Sequence, residues 1–258
     1  MSNLKFRSTS TYNMSKQSTN EIRVRKNKIS TMTTLQFEDL PDEIILKVLS
    51  FLEIKDLLKC GQISKRIRTV SHDEYLWEKI NLFEGQNVPS KFIEMIINRG
   101  CRYLSLHSAR TRPGYLTLHK KSKLKYLDLS FCSANDRIIE EILTSCHSLE
   151  KLSLSSTRLT SDMIEIICRK NGDSLKVLDL SLAWGLRFTH TKLELIELIC
   201  SSCVSLVELS LDDTILKSDK HVSYLVNNIT TTLEKVSIKS MHLQDQHMKT
   251  LVERYNFS

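Results

Sequence analysis

The segments "LKYLDL" (residues 124–129) and "LKVLDL" (residues 175–180) place leucine at the first, fourth and sixth of six positions. Four further segments keep this spacing or vary it slightly: "CRYLSL" (101–106), "LEKLSL" (149–154), "LVELSL" (206–211) and "LEKVSI" (233–238). Successive segments begin 23, 25, 26, 31 and 27 residues apart. A period in the twenties indicates a stack of similar units, each of which contributes one short strand.

This pattern is typical of leucine-rich repeats, in which a parallel strand and a helix alternate and stack into a curved solenoid. The segments between the strands, such as "IIEEIL" (138–143) and "LELIELIC" (193–200), place aliphatic residues three or four apart, as expected for a helix that covers one face of a sheet. Cys132, Cys146 and Cys203 fall at matching distances from the strands, so we expect them in the core. The sequence therefore predicts an α/β fold with a curved parallel sheet and about six repeats over residues 83–258.

The positive charge of the chain is concentrated before the repeats. The net charge is +7, of which residues 1–34 carry +6 and the remaining residues only +1. Twelve of these thirty-four residues are Ser or Thr, which predicts a disordered basic tail. Within the tail, "RVRKNK" (23–28) is interpreted as a solvated segment, with a nuclear-import or anion-binding patch as the alternative.

Several functional classes lack their sequence signals. No apolar run exceeds three residues, so we expect no membrane span and a location in the cytosol or nucleus. The glycines lie too far apart for a phosphate-binding loop, and "CSSC" (200–203) supplies only two of the four ligands of a structural zinc site. We therefore expect no cofactor or metal and reduced thiols, and none of these signals argues for catalysis, although catalysis by residues outside known motifs stays open.

A different pattern precedes the repeats. "LPDEIILKVLSFL" (40–52) has aliphatic residues at helical spacing, Pro41 suits a first helical turn, and Asp42 and Glu43 suit the positive end of a helix. Short helices are predicted as far as Trp77. A unit of about forty residues is small for an independent core, so part of its apolar surface should be covered by a partner or by the repeats.

Residues 40–80 resemble the F-box, with "LPDEIILKVLSFL" as its first helix, "IKDLLKCGQISKRI" (54–67) as the next pair and "SHDEYLWEKI" (71–80) as its closing segment. We assign the F-box to residues 35–82. An F-box followed by such repeats resembles the F-box and leucine-rich-repeat family. That resemblance implies a substrate receptor of a cullin ubiquitin ligase, which binds a Skp-type adaptor and, through it, the cullin and RING subunits. The adaptor-binding residues that it implies are Leu40, Pro41, Ile44, Ile45, Val48, Leu57, Leu58, Ile63 and Trp77. For Trp77, packing against the repeats is an equal alternative.

A protein client, with its phosphorylation left open, is expected on the strand face of the repeats. Strand side chains alternate, so residues between the leucines should share that face. The longest repeat contains "LAWGLRF" (182–188), which suggests a loop with binding anchors at the rim. The predicted client-binding residues are Tyr126, Asp128, Lys151, Asp179, Trp184, Arg187, Glu208 and Asp212; a merely solvated face is the alternative.

Two other functions remain open from the sequence. In one, the chain is a leucine-rich-repeat scaffold whose F-box-like segment only caps the solenoid. This differs from the adaptor hypothesis in whether Ile44, Ile45 and Val48 are exposed. In the other, the tail binds nucleic acid, which predicts a steep salt dependence that disappears when residues 1–34 are deleted; we do not expect a nucleic-acid partner.

Overall fold

Six of the strands come from the six repeated segments, and a seventh precedes them. The computed structural model describes residues 36–82, 87–112, 114–118, 121–185, 192–214, 218–240 and 243–255. Its main sheet is parallel, and its seven strands lie in chain order: β1 (Lys79–Asn81), β3 (Tyr103–Ser105), β5 (Tyr126–Asp128), β6 (Lys151–Ser153), β7 (Val177–Asp179), β8 (Glu208–Ser210) and β9 (Lys235–Ser237). A second, two-stranded parallel sheet pairs β2 (Asn87–Val88) with β4 (Arg110–Thr111).

A helix lies between most successive strands of the main sheet. These are α5 (Ser90–Asn98), α6 (Asp136–Ser145), α7 (Ser161–Asn171), α8 (Lys192–Ser202) and α9 (Asp219–Asn228), with α10 (Asp245–Tyr255) after the last strand. Side-chain oxygens of Asn135, Thr160 and Ser218 accept hydrogen bonds from the first turns of α6, α7 and α9, which stabilises where each helix begins. Among the described helices, none is both long and apolar enough to cross a lipid bilayer.

The core is built from the central residue of each strand. Leu127, Leu152 and Leu178 are register partners on neighbouring strands, and all three are buried. The predicted core positions of Cys132, Cys146 and Cys203 are confirmed, since all three are buried free thiols. Burial raises the pKa of the Cys132 and Cys146 thiols to about 12, so both remain protonated at neutral pH.

The N-terminal helices form a small group of their own. They are a 3₁₀ turn (Phe37–Asp39), α1 (Asp42–Leu49), α2 (Ile54–Cys60), α3 (Lys65–Ser71) and the short α4 (Glu74–Trp77). Ile45, Leu57 and Ile67 turn inward and belong to one apolar cluster that continues into the repeats. The predicted tail, with Arg23–Lys28, lies outside the described residues, as does Arg187.

The helical group and the main sheet share a strand. β1 follows α4 directly and pairs with β3, with Ile80 opposite Leu104. Beside it, the buried indole of Trp77 donates a hydrogen bond from Nε1 to the carbonyl of Ser71 at 2.8 Å, and the guanidinium of Arg99 lies 4.0 Å from its ring centre. The sequence suggests a domain boundary after residue 82, which lies C-terminal to β1. The first strand of the main sheet therefore belongs to the N-terminal side of that boundary.

Candidate protein-docking surfaces

Helix α1 divides its apolar residues between two faces. Ile45 and Leu49, four residues apart, are buried, whereas Ile44 is 49% exposed and Val48, also four residues on, is 42% exposed. Phe51, seven residues after Ile44, is more exposed still. Ile44 and Val48, four residues apart, lie on one side of α1, and Phe51 follows two residues after the helix ends at Leu49. We call these three exposed apolar side chains the α1 stripe.

Arg66 joins the beginnings of α1 and α3. Its Nη2 donates to the carbonyl of Leu40 at 2.6 Å and lies 2.7 Å from Oδ1 of Asp42. The side chain of Ser64 caps α3 by accepting a hydrogen bond from the amide of Ile67 at 3.3 Å. Ile63, immediately before that cap, is exposed.

The predicted adaptor-binding residues divide into three groups. Four are exposed (Pro41, Ile44, Val48 and Ile63), two are half-buried (Leu40 and Leu58), and three are buried (Ile45, Leu57 and Trp77). The buried three require a correction: a side chain without exposed surface contacts no partner in this conformation, so we remove them from the docking surface. Ile45 and Leu57 instead hold the helices together, and Trp77 packs at the junction with the sheet. Sequence reasoning missed Phe51, although its spacing from Ile44 and Val48 was a usable signal.

The strand face of the main sheet forms a groove of about 620 Å³. Five of the predicted client-binding residues line it: Tyr126, Asp128, Lys151, Asp179 and Glu208. The register places them in two rows, because Tyr126, Lys151, Val177 and Glu208 are successive partners, as are Asp128, Ser153, Asp179 and Ser210. Asp212 lies two residues beyond β8, at the end of the same face.

Serine side chains hold the carboxylates of this groove. Asp128 accepts hydrogen bonds from the hydroxyl of Ser105 at 3.0 Å and from the amide of Ser130 at 2.9 Å. Asp179 accepts from the hydroxyl of Ser153 and from the amide of Ser181, both at 3.0 Å. Uncharged hydrogen-bond donors, serine hydroxyls and backbone amides, therefore fix the orientation of both carboxylates.

Asp212 and Glu208 have different surroundings, because each has a lysine nearby. Lys235 lies 3.5 Å from Glu208, and Lys239 lies 3.8 Å from Asp212. Burial raises the pKa of the Asp212 carboxyl, but hydrogen bonds from the Lys239 amide and the Ser237 hydroxyl, with the Lys239 charge, outweigh it. The net result is a pKa below the usual value.

Three large apolar side chains are exposed where the strands end. Phe131 and Leu182 have a left-handed backbone, with φ of 56° and 57°, and each follows an aspartate by three residues in "DLSF" (128–131) and "DLSL" (179–182). Trp184 is 56% exposed, and its backbone forms a bridge with Arg158. The exposure expected for Trp184 is therefore observed. Sequence reasoning missed Phe131 and Leu182, because the spacing of the leucines carries no signal for the residue that follows each "DLS".

Both surfaces offer apolar and hydrogen-bonding contacts. Within the described ranges, no group of three or more His, Cys, Asp and Glu side chains is arranged to hold a metal ion. An apolar stripe on α1 and a mixed polar groove on the sheet are both suited to binding protein segments.

Comparisons with known proteins bear on the helical group. Residues 37–82 match the F-box-like family. The chain is also 29% identical over 110 residues to the ubiquitin ligase complex F-box protein UFO1 of Saccharomyces cerevisiae. That match covers 42% of this chain and only 16% of the yeast protein, so the chain corresponds to a small part of its relative. We call the segment that matches the F-box-like family, residues 37–82, the F-box-like domain; it adjoins a seven-stranded parallel sheet with an exposed groove.

Proposed function

We propose that the chain is the substrate-recognition subunit of an SCF-type ubiquitin ligase, a complex of Skp adaptor, cullin and F-box protein. The F-box-like domain binds the Skp-type adaptor, and through it the cullin and RING subunits. The sheet face binds a protein client, phosphorylated or not. Under this proposal, residues 83–258 form a leucine-rich-repeat solenoid similar to that of the S-phase kinase-associated F-box protein, and residues 1–34 form a disordered tail.

The observation that carries the proposal is the apolar stripe of Ile44, Val48 and Phe51. Ile44 and Val48 lie on the first helix of the segment that matches the F-box-like family, and Phe51 lies just beyond the end of that helix. A solvent-exposed apolar stripe costs solubility and gains nothing for the fold, so its presence supports a partner that covers it. The yeast relative, named as a ubiquitin ligase complex protein, supports the same partner class.

The scaffold hypothesis receives partial support from the pairing of β1 with β3. Through this pairing, a strand of the F-box-like domain lies along the first of the repeated strands, as part of a cap would. A segment that served only as a cap would turn its apolar residues toward the sheet. Two of the three discriminating side chains, Ile44 and Val48, face solvent instead, which favours adaptor binding.

The proposed role contains no chemical step within this chain. The chain holds the adaptor at one surface and the client at another, while the RING subunit and a conjugating enzyme transfer ubiquitin. We propose that it acts in the cytosol or nucleus, without nucleic acid or membrane as a partner.

Co-expression of the full chain with a Skp-type adaptor tests this function. We expect a one-to-one complex that survives gel filtration, with its mass measured by light scattering. Expression without the adaptor should give poorly soluble protein, because the stripe is then uncovered. An adaptor that elutes apart from a soluble, folded chain would contradict the proposal.

A further inference from the structure

Three neighbouring strands give the groove a symmetrical cross-section. β5 and β7 carry Asp128 and Asp179 at the same register position, and β6 between them carries Ser153. Where the strands end, the corresponding positions are Phe131, Leu182 and, between them, Ser156. We call this the serine channel: a floor of Ser153 and Ser156, with Asp128 and Phe131 on one side and Asp179 and Leu182 on the other.

Backbone hydrogen bonds keep the two sides of the channel aligned. The amide of Phe131 donates to the carbonyl of Ser155 at 2.8 Å, and the amide of Ser156 donates to Ser181 at 2.9 Å. The parallel register therefore continues past the strands. Since adjacent strands lie about 4.8 Å apart, the two sides are roughly 10 Å apart, which is wide enough for one extended peptide.

The charge of the serine channel is not neutralised internally. Asp128 and Asp179 form no ion pair within the described part of the chain, in contrast to Glu208 and Asp212. The exposed Lys151 lies one row away, and its Nζ makes no ion pair with either carboxylate. A carboxylate oxygen accepts about two hydrogen bonds. Oδ1 of Asp128 already accepts from both the amide and the hydroxyl of Ser130, but its Oδ2 and each oxygen of Asp179 have one donor, so both aspartates retain capacity.

The apolar residues at the channel's end are not needed by the turn in which they occur. Ser108, Ser156, Asp213 and Ser240 have the same left-handed backbone at the equivalent place in other repeats. Phe131 and Leu182 are exposed there, with Trp184 two residues beyond Leu182. The ring of His107 meets the Phe131 ring edge-on at 5.6 Å, and Nδ1 of His107 lies 3.3 Å from the hydroxyl of Ser130, which lines the groove.

We propose that the serine channel binds an extended client segment that carries an arginine and, two or three positions away, a large apolar residue. The arginine lies over Ser153, where its planar guanidinium donates to Asp128 on one side and Asp179 on the other. The apolar residue packs between Phe131 and Leu182. The inference rests on the proposed function, because it specifies the client that the same sheet face would bind. A phosphorylated residue is disfavoured here because two carboxylates would repel it.

A peptide selection on the full chain in complex with the adaptor tests this inference. The probe is a library of ten-residue peptides with randomised positions, alongside a second library that contains phosphoserine. We expect enrichment of arginine with a large apolar residue two or three positions away. For the best peptide, replacing arginine by the uncharged citrulline should weaken binding about tenfold, the expected loss for a charge-assisted contact.

Protein variants locate the contact. Asp128→Asn and Asp179→Asn, which keep an oxygen for the serine donors, should each weaken the peptide about tenfold, and Leu182→Ser should also weaken it. Glu253→Gln on α10 is the control and should leave the affinity unchanged. Thermal melting establishes that each variant is folded.

Several outcomes would overturn the inference. These are enrichment of phosphoserine, absence of any enriched peptide, insensitivity to citrulline, and folded aspartate variants that bind the peptide as well as the parent does. Each would leave the proposed adaptor function standing as long as the same preparations still form the adaptor complex. Loss of that complex in the parent would instead refute the proposed function.

Discussion

Ile44 and Ile45 are adjacent, identical side chains with opposite roles. Ile45 is fully buried against the neighbouring helices, whereas half of Ile44 is in solvent. An arginine at position 45 would place an unpaired charge in the core, so it would unfold the helical group and not report on a binding surface. An arginine at position 44 remains in water and alters only what contacts the stripe.

Asp212 gives a residue-scale prediction about pH. Its folded pKa lies below the unfolded value, so the ionised carboxylate stabilises the fold at neutral pH. That contribution is lost as the pH falls through the folded pKa. We expect Asp212→Asn to lower the free energy of unfolding by about 1 to 2 kcal/mol near pH 7, because hydrogen bonds to a charged acceptor are weakened.

Urea denaturation of the adaptor complex across a pH series measures this difference. The gap between Asp212→Asn and the parent should narrow only as the pH falls below the usual range for an aspartate, because the lowered pKa of Asp212 keeps its carboxylate ionised through that range. The exposed Asp173, replaced by Asn, is the control. A gap that stays constant from neutral to acid pH would show that the loss is not electrostatic.

At the scale of elements, β1 decides how the two parts of the chain are connected. It ends the F-box-like domain and begins the main sheet, and the ion pair between Glu74 and Lys123 at 2.7 Å adds a contact between α4 and the segment before β5. The buried apolar cluster includes Ile45 of the helical group and Leu104 of the sheet. We therefore expect the two parts to unfold together.

The two tryptophans of the chain form a matched pair for this expectation. Trp77 is fully buried at the junction, whereas Trp184 is 56% exposed at the rim. Trp77→Ala should destabilise the protein by about 3 to 5 kcal/mol, as for other buried aromatic residues. Trp184→Ala should change stability by less than about 0.5 kcal/mol.

Denaturation followed by circular dichroism gives both values. A single transition in the parent, moved to lower denaturant concentration by Trp77→Ala, is the expected result. Two separate transitions, with only the first affected by Trp77→Ala, would show that the F-box-like domain and the sheet unfold independently.

At the scale of the whole molecule, the period of the leucines carries most of the information about the fold. It predicts the strands at residues 103–237 and the helices between them, because a repeated spacing specifies the same local structure each time. The pairing of β2 with β4 has no such signal. The apolar stripe of α1 is ambiguous in the sequence, since offsets of four and five residues both suit a helix, and only packing against the other helices decides that Ile45 turns inward.

The candidate docking surfaces were also less predictable than the fold, because packing in space decides which side chains are exposed. Alternation within a strand correctly predicts that Asp128 and Asp179 share a face, but their lack of a cation is a property of their neighbours in space. Phe131 and Leu182 interrupt no pattern and join no core. Their exposure follows from a backbone turn that the spacing of leucines does not describe.

The affinity of the Skp-type adaptor for matched valine variants tests the central claim most directly. Val48 on α1 and Val252 on α10 are nearly equally exposed, so an arginine is tolerated by the fold at either place. Titration calorimetry should show that Val48→Arg weakens adaptor binding about thirtyfold or more, which corresponds to about 2 kcal/mol, while Val252→Arg binds as the parent does. Equal affinities for Val48→Arg and the parent would contradict the claim that the α1 stripe docks the adaptor.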